Sequence, residues 1–235
     1  MSTPKNKIGV MNESSLHRTL KFRYTGTGGK TEVTVGEYIA DGKKEDGEYI
    51  EVQTKSFAPL VKKVKELTKG GKVRIIHPIA VNKIIEVYNP GAKNKPLGDL
   101  LYRRKSPLKG SPWNIFDALL HSPLLPKTRR LTIEVVLVDI LEKRVKDGKG
   151  TKRKKGISFL DKELAAWHDS ILYKKPSDYL RFIPFKKNEE FTSASLAKSA
   201  GVKTDTTRKA LYVLTKLKLI ERTGKNGNAW VYVRK

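Results

Sequence analysis

The chain has 235 residues, 38% of them apolar and 31% charged, with a formal net charge of +25. It has no cysteine, which excludes disulfides and thiolate metal sites. The basic excess costs self-repulsion and is what a polyanionic partner needs, because Lys and Arg neutralise phosphates and release counterions. An anionic membrane is the rival polyanion, but no apolar run approaches the roughly 18–20 residues of a spanning helix. Nucleic acid is therefore the expected partner, with no membrane. Residues 1–10 are polar and lack the apolar core of a secretory signal, so an intracellular, cytoplasmic location is expected.

Residues 1–12 read as a disordered lead. Residues 13–24 read as an amphipathic helix, N-capped by Asn12, with Leu16, Leu20 and Phe22 inward. A Gly-rich break follows. Residues 32–40 alternate as a strand, 41–47 form a polar turn with two glycines, and 48–54 form the return strand. Ile50 and Val52 then face one side, and Glu51 and Gln53 the other. Residues 59–68 are helical, with Leu60, Val61, Val64 and Leu67 on one face. Residues 73–76 and 83–87 read as two short strands. Residues 89–110 read as a Pro/Gly/Lys-rich loop, 113–121 as a helix, 130–141 as a buried strand, 143–155 as a flexible basic loop and 160–174 as a helix.

From residue 185 the pattern changes. Residues 191–200 form a helix, Gly201-Val202 a tight turn, 204–219 a longer helix, and 220–222 with 229–233 a two-stranded hairpin. This stretch carries 12 Lys/Arg against 4 Asp/Glu. The segment FTSASLAKSAGVKTDTTRKALYVLTKLKLIERTGKNGNAWVYVRK resembles winged helix-turn-helix domains. The resemblance implies that the second helix enters a major groove. Lys203, Thr206, Thr207 and Arg208 would then lie near phosphates or base edges, and Lys225 and Asn226 would reach a neighbouring groove. The bland alternative is a protein-interaction module.

Three acidic residues stand out near the N-terminus: Glu13 opening the first helix, Asp41 ending the first strand, and Glu51 on the next. The segment GEYIADGKKEDGEYIEVQTKSF, in this element order, resembles the PD-(D/E)xK nuclease superfamily, whose core is helix–strand–strand–helix–strand. That resemblance covers residues 11–88. It implies Asp41, Glu51 and the Val52 carbonyl as ligands of Mg²⁺ (or Mn²⁺), with Glu13 acting directly or through water. Gln53 stands where the family has Lys, and Lys55 is positioned to supply the missing charge. Hard cations prefer carboxylate oxygens, lower the pKa of bound water and offset transition-state charge. Taken singly, Asp41 reads as a turn residue, Glu51 as a solvated strand position and Glu13 as a helix N-terminal carboxylate.

Arg103, Arg104, Lys105 and Lys109 form a further basic stretch suited to phosphate contact, as does the run from Lys152 to Lys155. His77 reads as a structural histidine. Trp113 and Trp167 read as core, and one of Trp230 and Tyr232 as inward-facing. No phosphate-cradling Gly loop, zinc-type His spacing or Gly-x-Ser-x-Gly elbow is present.

The expected fold is α/β, a restriction-endonuclease-like mixed sheet flanked by helices, plus a small winged-helix domain. Its parts are a lead (1–12), a nuclease domain (13–142), a basic loop and connecting helix (143–184) and the winged helix (185–235). The expected function is a Mg²⁺-dependent DNA endonuclease, with a homodimer as a natural way to cut two strands. The alternatives are a non-catalytic DNA-binding regulator and an RNA-binding protein.

Overall fold

The structure is a computed structural model that describes residues 13–92, 97–151 and 155–235. The expected lead, Asn12 as a cap, and Lys152, Arg153 and Lys154 lie outside the described residues.

The first helix, α1 (Ser15–Thr25), is capped by Ser14, whose hydroxyl accepts from the His17 amide. Leu16 and Leu20 are buried as expected, but Phe22 is 57% exposed. Two hairpins follow: β1 (Lys30–Val35), β2 (Tyr38–Lys43) and β3 (Tyr49–Val52) form an antiparallel meander. The single strand expected over 32–40 is thus broken by a turn at Gly36, whose φ is +58°. Asp41 lies inside β2 rather than in the turn.

Helix α2 (Leu60–Gly70) buries Val64 and Leu67 and crosses to β4 (Val73–Pro90), which runs parallel to β3. The two short strands expected at 73–76 and 83–87 are one 18-residue strand, bulged between Ala80 and Asn82. Pro78 survives inside it because of its position. Ile76 presents its polar groups to the β3 side, where its carbonyl accepts from Gln53. Pro78 has the same parity, and by that point β3 has ended, so its missing N–H faces a gap in the pairing. Ala80 faces the same gap and accepts there from Gly110, where a Cβ would lie 2.5 Å from the Ala80 oxygen.

The expected loop at 89–110 contains a strand, β5 (Leu97–Lys105), antiparallel to the far half of β4. A 3₁₀ turn (Pro112–Asn114) and the short α3 (Ile115–Leu119) replace the longer helix expected at 113–121. Strand β6 (Leu131–Val145) pairs parallel to β4 along nearly its whole length. The helix expected at 160–174 is β7 (Ser158–Tyr173), antiparallel to β6. Its Leu, Ala, Lys and Glu favour helix locally, but an unpaired 15-residue strand edge on β6 outweighs that preference. The boundary expected at 142/143 falls inside β6, and residues 158–173 belong to the main sheet.

The chain is therefore mixed α/β, with a mixed seven-stranded sheet in the order β1-β2-β3-β4-β6-β7 and β5 joined to β4. Alternation along the strands divides the core. Leu16 and Leu20 meet Ile50, Val52, Ile76, Val136, Val138 and Ile140 on one face. On the other, α2 and α3 cover Ile75, Ile133 and Val135.

The C-terminal segment forms β8 (Phe191–Thr192), α4 (Ser193–Ala200), α5 (Thr204–Lys216), β9 (Ile220–Asn226) and β10 (Ala229–Arg234). Thr192 caps α4, and Gly201, left-handed at φ +64°, ends it. The strands make a small sheet ordered β8-β10-β9, with the hairpin turn at Gly227-Asn228 rather than starting at Gly224. Its core is continuous with the α2/α3 side of the large sheet. Lys209 on α5 bonds Asp117 on α3 at 3.0 Å.

Candidate functional site

The register that sets Gly42 opposite Ile50 brings Asp41 opposite Glu51 when carried one residue further. There a side chain takes over from the ladder. The Val52 amide donates to Asp41 Oδ2 at 2.7 Å, and the Asp41 amide donates to Glu51 Oε1 at 3.3 Å. Gly42 has no Cβ, which lets Thr25 at the end of α1 press against β2 beside this pair, where a Cβ would lie 2.1 Å from the Thr25 hydroxyl.

Helix α1 lays a second row of charges over the pair. His17 and Lys21 sit at i and i+4 on one face of the helix, and Glu13, just before the Ser14 cap, continues the same row. His17 Nδ1 contacts Glu13, and Nε2 lies 2.9 Å from the Val52 carbonyl and 3.3 Å from Asp41 Oδ2. Lys21, its side chain 6% exposed, bonds Glu13 at 3.0 Å. From α2, Lys63 reaches Glu51 Oε2 at 2.6 Å. Glu51 is 2% exposed and the Lys63 side chain 16%.

The electrostatics follow from these contacts. Burial opposes charge on His17, but its bonds to Asp41 and Glu13 outweigh that and raise its pKa. An imidazolium donates from both nitrogens, matching the acceptors on its two sides. Burial likewise opposes the charge on Asp41, yet His17 and the Val52 amide hold its carboxyl below the ordinary range. Glu13 is also lowered: Lys21 and His17 overcome its burial. Glu51 goes the other way. Burial, and then the Asp41 carboxylate, push it up to about 7 against the pull of Lys63.

Several expected site residues are placed differently. The three-carboxylate cluster of Glu13, Asp41 and Glu51 does not form, because the His17 ring stands between Glu13 and Asp41. Among the described residues no group of three or more His, Asp or Glu side chains is arranged to hold a metal ion. Gln53 turns its amide to the Ser56 carbonyl at 2.9 Å. Lys55 is exposed and lines a cleft of about 290 Å³ with Lys109, His77 and Asp117; the cation beside Glu51 is Lys63. His77 is structural: it is buried, and its Nδ1 bonds the Gln53 carbonyl. The sequence reading missed His17 and Lys21; their four-residue spacing from Glu13 was the signal available, but it does not say what the row faces. Lys63, twelve residues from Glu51, left no local signal.

Among the basic candidates, Arg103, Arg104 and Lys105 are exposed on β5 rather than in a loop, with Arg103 3.6 Å from Glu86. Lys203, Arg208, Lys225 and Asn226 are exposed, and Thr206 is half-buried. Thr207 is withdrawn from any ligand: it is fully buried, and its hydroxyl proton is shared between the Ser193 and Thr204 carbonyls, each 2.9 Å away. Tyr232 is the inward residue of its pair, and Trp230 is 41% exposed.

Fold and site together define a mixed α/β protein with a half-buried acid–base cluster where its first helix crosses β2 and β3. The chain belongs to the family described as Domain of unknown function (DUF8091), which matches residues 14–174. That match begins just before α1 and ends just after β7, so it takes in His17, Asp41, Glu51 and Lys63. An uncharacterized protein of Treponema pallidum (strain Nichols) is similar, 26% identical over 192 residues, covering 82% of this chain and 74% of that protein. No solved structure matches the chain. Among the described residues no helix is long and apolar enough to cross a membrane.

Proposed function

We propose that the protein is a DNA endonuclease that hydrolyses phosphodiester bonds at the Asp41–Glu51 pair and docks through a winged-helix-like C-terminal unit. One observation carries the reading: Asp41 and Glu51 stand face to face on adjacent strands, with a backbone carbonyl at Val52 and a lysine ammonium on Glu51. This is the donor set expected from the resemblance to PD-(D/E)xK nucleases, with Lys63 in place of the lysine that Gln53 lacks. The helix–turn–helix–hairpin order and basic charge of residues 185–235 support docking on nucleic acid.

The oxygen donors suit a hard divalent cation. Asp41 Oδ2 and the Val52 carbonyl already converge on one cationic point, His17 Nε2. Asp41, Glu51 and the Val52 carbonyl would hold Mg²⁺ or Mn²⁺, which supplies an acidified water and charge neutralisation when bound. The chain's own contributions are distinct. The Val52 amide fixes the Asp41 rotamer, Lys63 fixes Glu51, and His17 Nε2 occupies the point where the cation would bind.

His17→Ala is accordingly expected to bind Mn²⁺ about tenfold more tightly than wild type, because the ion no longer displaces charge-assisted hydrogen bonds. Titration followed by electron paramagnetic resonance reads this directly. Equal affinities would remove His17 from the ion's place.

A second reading, nucleic-acid binding without cleavage, is favoured by one feature: Glu13, Asp41 and Glu51 each already have a cationic partner. The deciding experiment incubates the protein with Mg²⁺ or Mn²⁺ and labelled linear duplex, single strand, flap and four-way junction DNA. Cutting that is lost in Asp41→Ala supports the nuclease. Binding without cutting on every substrate supports the second reading and makes RNA the next ligand to test.

A further inference from the structure

The hairpin β9–β10 and helix α5 enclose a cavity of about 430 Å³. Trp230 and Tyr232 line it from β10, Arg222 from β9, Arg208 and Tyr212 from α5, and Ser193 from the start of α4. The Arg222 guanidinium lies 4.5 Å from the Trp230 ring centroid and 5.8 Å from that of Tyr232. Lys225 lies 4.7 Å from Trp230. No carboxylate lines the cavity, and among the described residues Arg208, Arg222 and Lys225 make no ion pair. Cations already lie over these rings, with Lys216 5.7 Å from the Tyr212 centroid, yet both rings keep area in solvent: Tyr212 is 42% exposed and Trp230 41%.

Cations that make no ion pair, gathered at part-exposed aromatic rings, suit a ligand that is both anionic and planar. A nucleotide has both properties, and the volume falls in the range of small-molecule sites. A base paired within duplex has its faces covered by its neighbours, whereas an unpaired base can stack on an aromatic side chain. We infer that this cavity binds an unpaired nucleotide of a nucleic-acid strand, its base stacked on the Trp230–Tyr212 side and its phosphate held by Arg208 and Arg222. The inference rests on the nucleic-acid reading above and names the substrate class: ends, flaps or junctions that offer an unpaired base beside duplex.

The test uses the full chain and fluorescence anisotropy at one fixed salt concentration. The probes are a blunt-ended duplex, the same duplex with a four-nucleotide single-stranded overhang, and the single strand alone, each as DNA and as RNA. The overhang is expected to bind about tenfold more tightly than the blunt duplex. In Trp230→Leu that ratio should fall toward one. Trp230→Phe, which keeps a stacking face in the same hairpin, should retain most of it and controls for loss of the fold. Equal affinity of wild type for blunt and overhung duplex, with both binding, overturns the cavity assignment and leaves nucleic-acid binding intact. Binding of neither overturns both.

Discussion

Replacing Lys63 by methionine is expected to lower DNA cleavage by about two to three orders of magnitude, while Lys55→Met changes it by less than about threefold. The contrast separates the two lysines by what they touch. Lys63 Nζ lies 2.6 Å from Glu51 Oε2, and Lys55 is exposed on the loop beyond β3. Without Lys63, Glu51 loses the ammonium that favours its ionisation, and a carboxyl already near 7 becomes a neutral acid at working pH. Breaking one partner of a buried pair costs about 3–5 kcal/mol when the other stays charged. Protonation of Glu51 relieves part of that cost, so the variant should fold with a lowered urea midpoint. Duplex affinity should stay near that of wild type, because Lys63 is largely buried. Equal losses in the Lys63 and Lys55 variants would sink the assignment.

Asp41→Asn and Glu51→Gln should each abolish detectable cleavage and leave duplex binding near wild type. Glu51→Gln adds a stability signature. A carboxyl whose pKa is raised in the folded state contributes stability that is full below its ordinary value of 4.5 and is lost as pH rises through about 7. Glutamine has no such loss. The urea midpoint of Glu51→Gln should therefore gain on wild type between pH 6 and pH 8.5. A constant difference across that range would mean that Glu51 is not held near neutrality. A gain by Glu51→Gln would mark the pair as a place where the chain gives up stability to keep two carboxylates together.

Local pattern revealed some of this and concealed the rest, for identifiable reasons. The helices α1, α2, α4 and α5 were legible because their apolar residues recur at helical spacing and because Gly201 and Gly71 end two of them. Asp41 and Glu51 were legible as a hairpin pair. Strand β7 was not, since its composition favours helix and only the edge of β6 makes it a strand. Strand β5 was hidden by the Pro/Gly-rich stretch around it, and β4 looked like two strands because polar residues at its bulge interrupt the apolar run. His17 and Lys63 become site residues only when α1 and α2 are folded onto the sheet. Thr207, a polar residue on an expected reading helix, is consumed by carbonyl groups that the sequence does not disclose.

The apolar core that runs unbroken from the large sheet into α5, with the Lys209–Asp117 bond across the same joint, has a consequence for the products of the proposed nuclease. A cutter tethered by a loose linker samples many phosphates and leaves a ladder of fragments. Here the two units share packing, so in the proposed nuclease the joint would act as a ruler. A strand held between α5 and the hairpin would present one phosphate, at a fixed offset, to Asp41 and Glu51. The fragment lengths would then measure the distance between the two units.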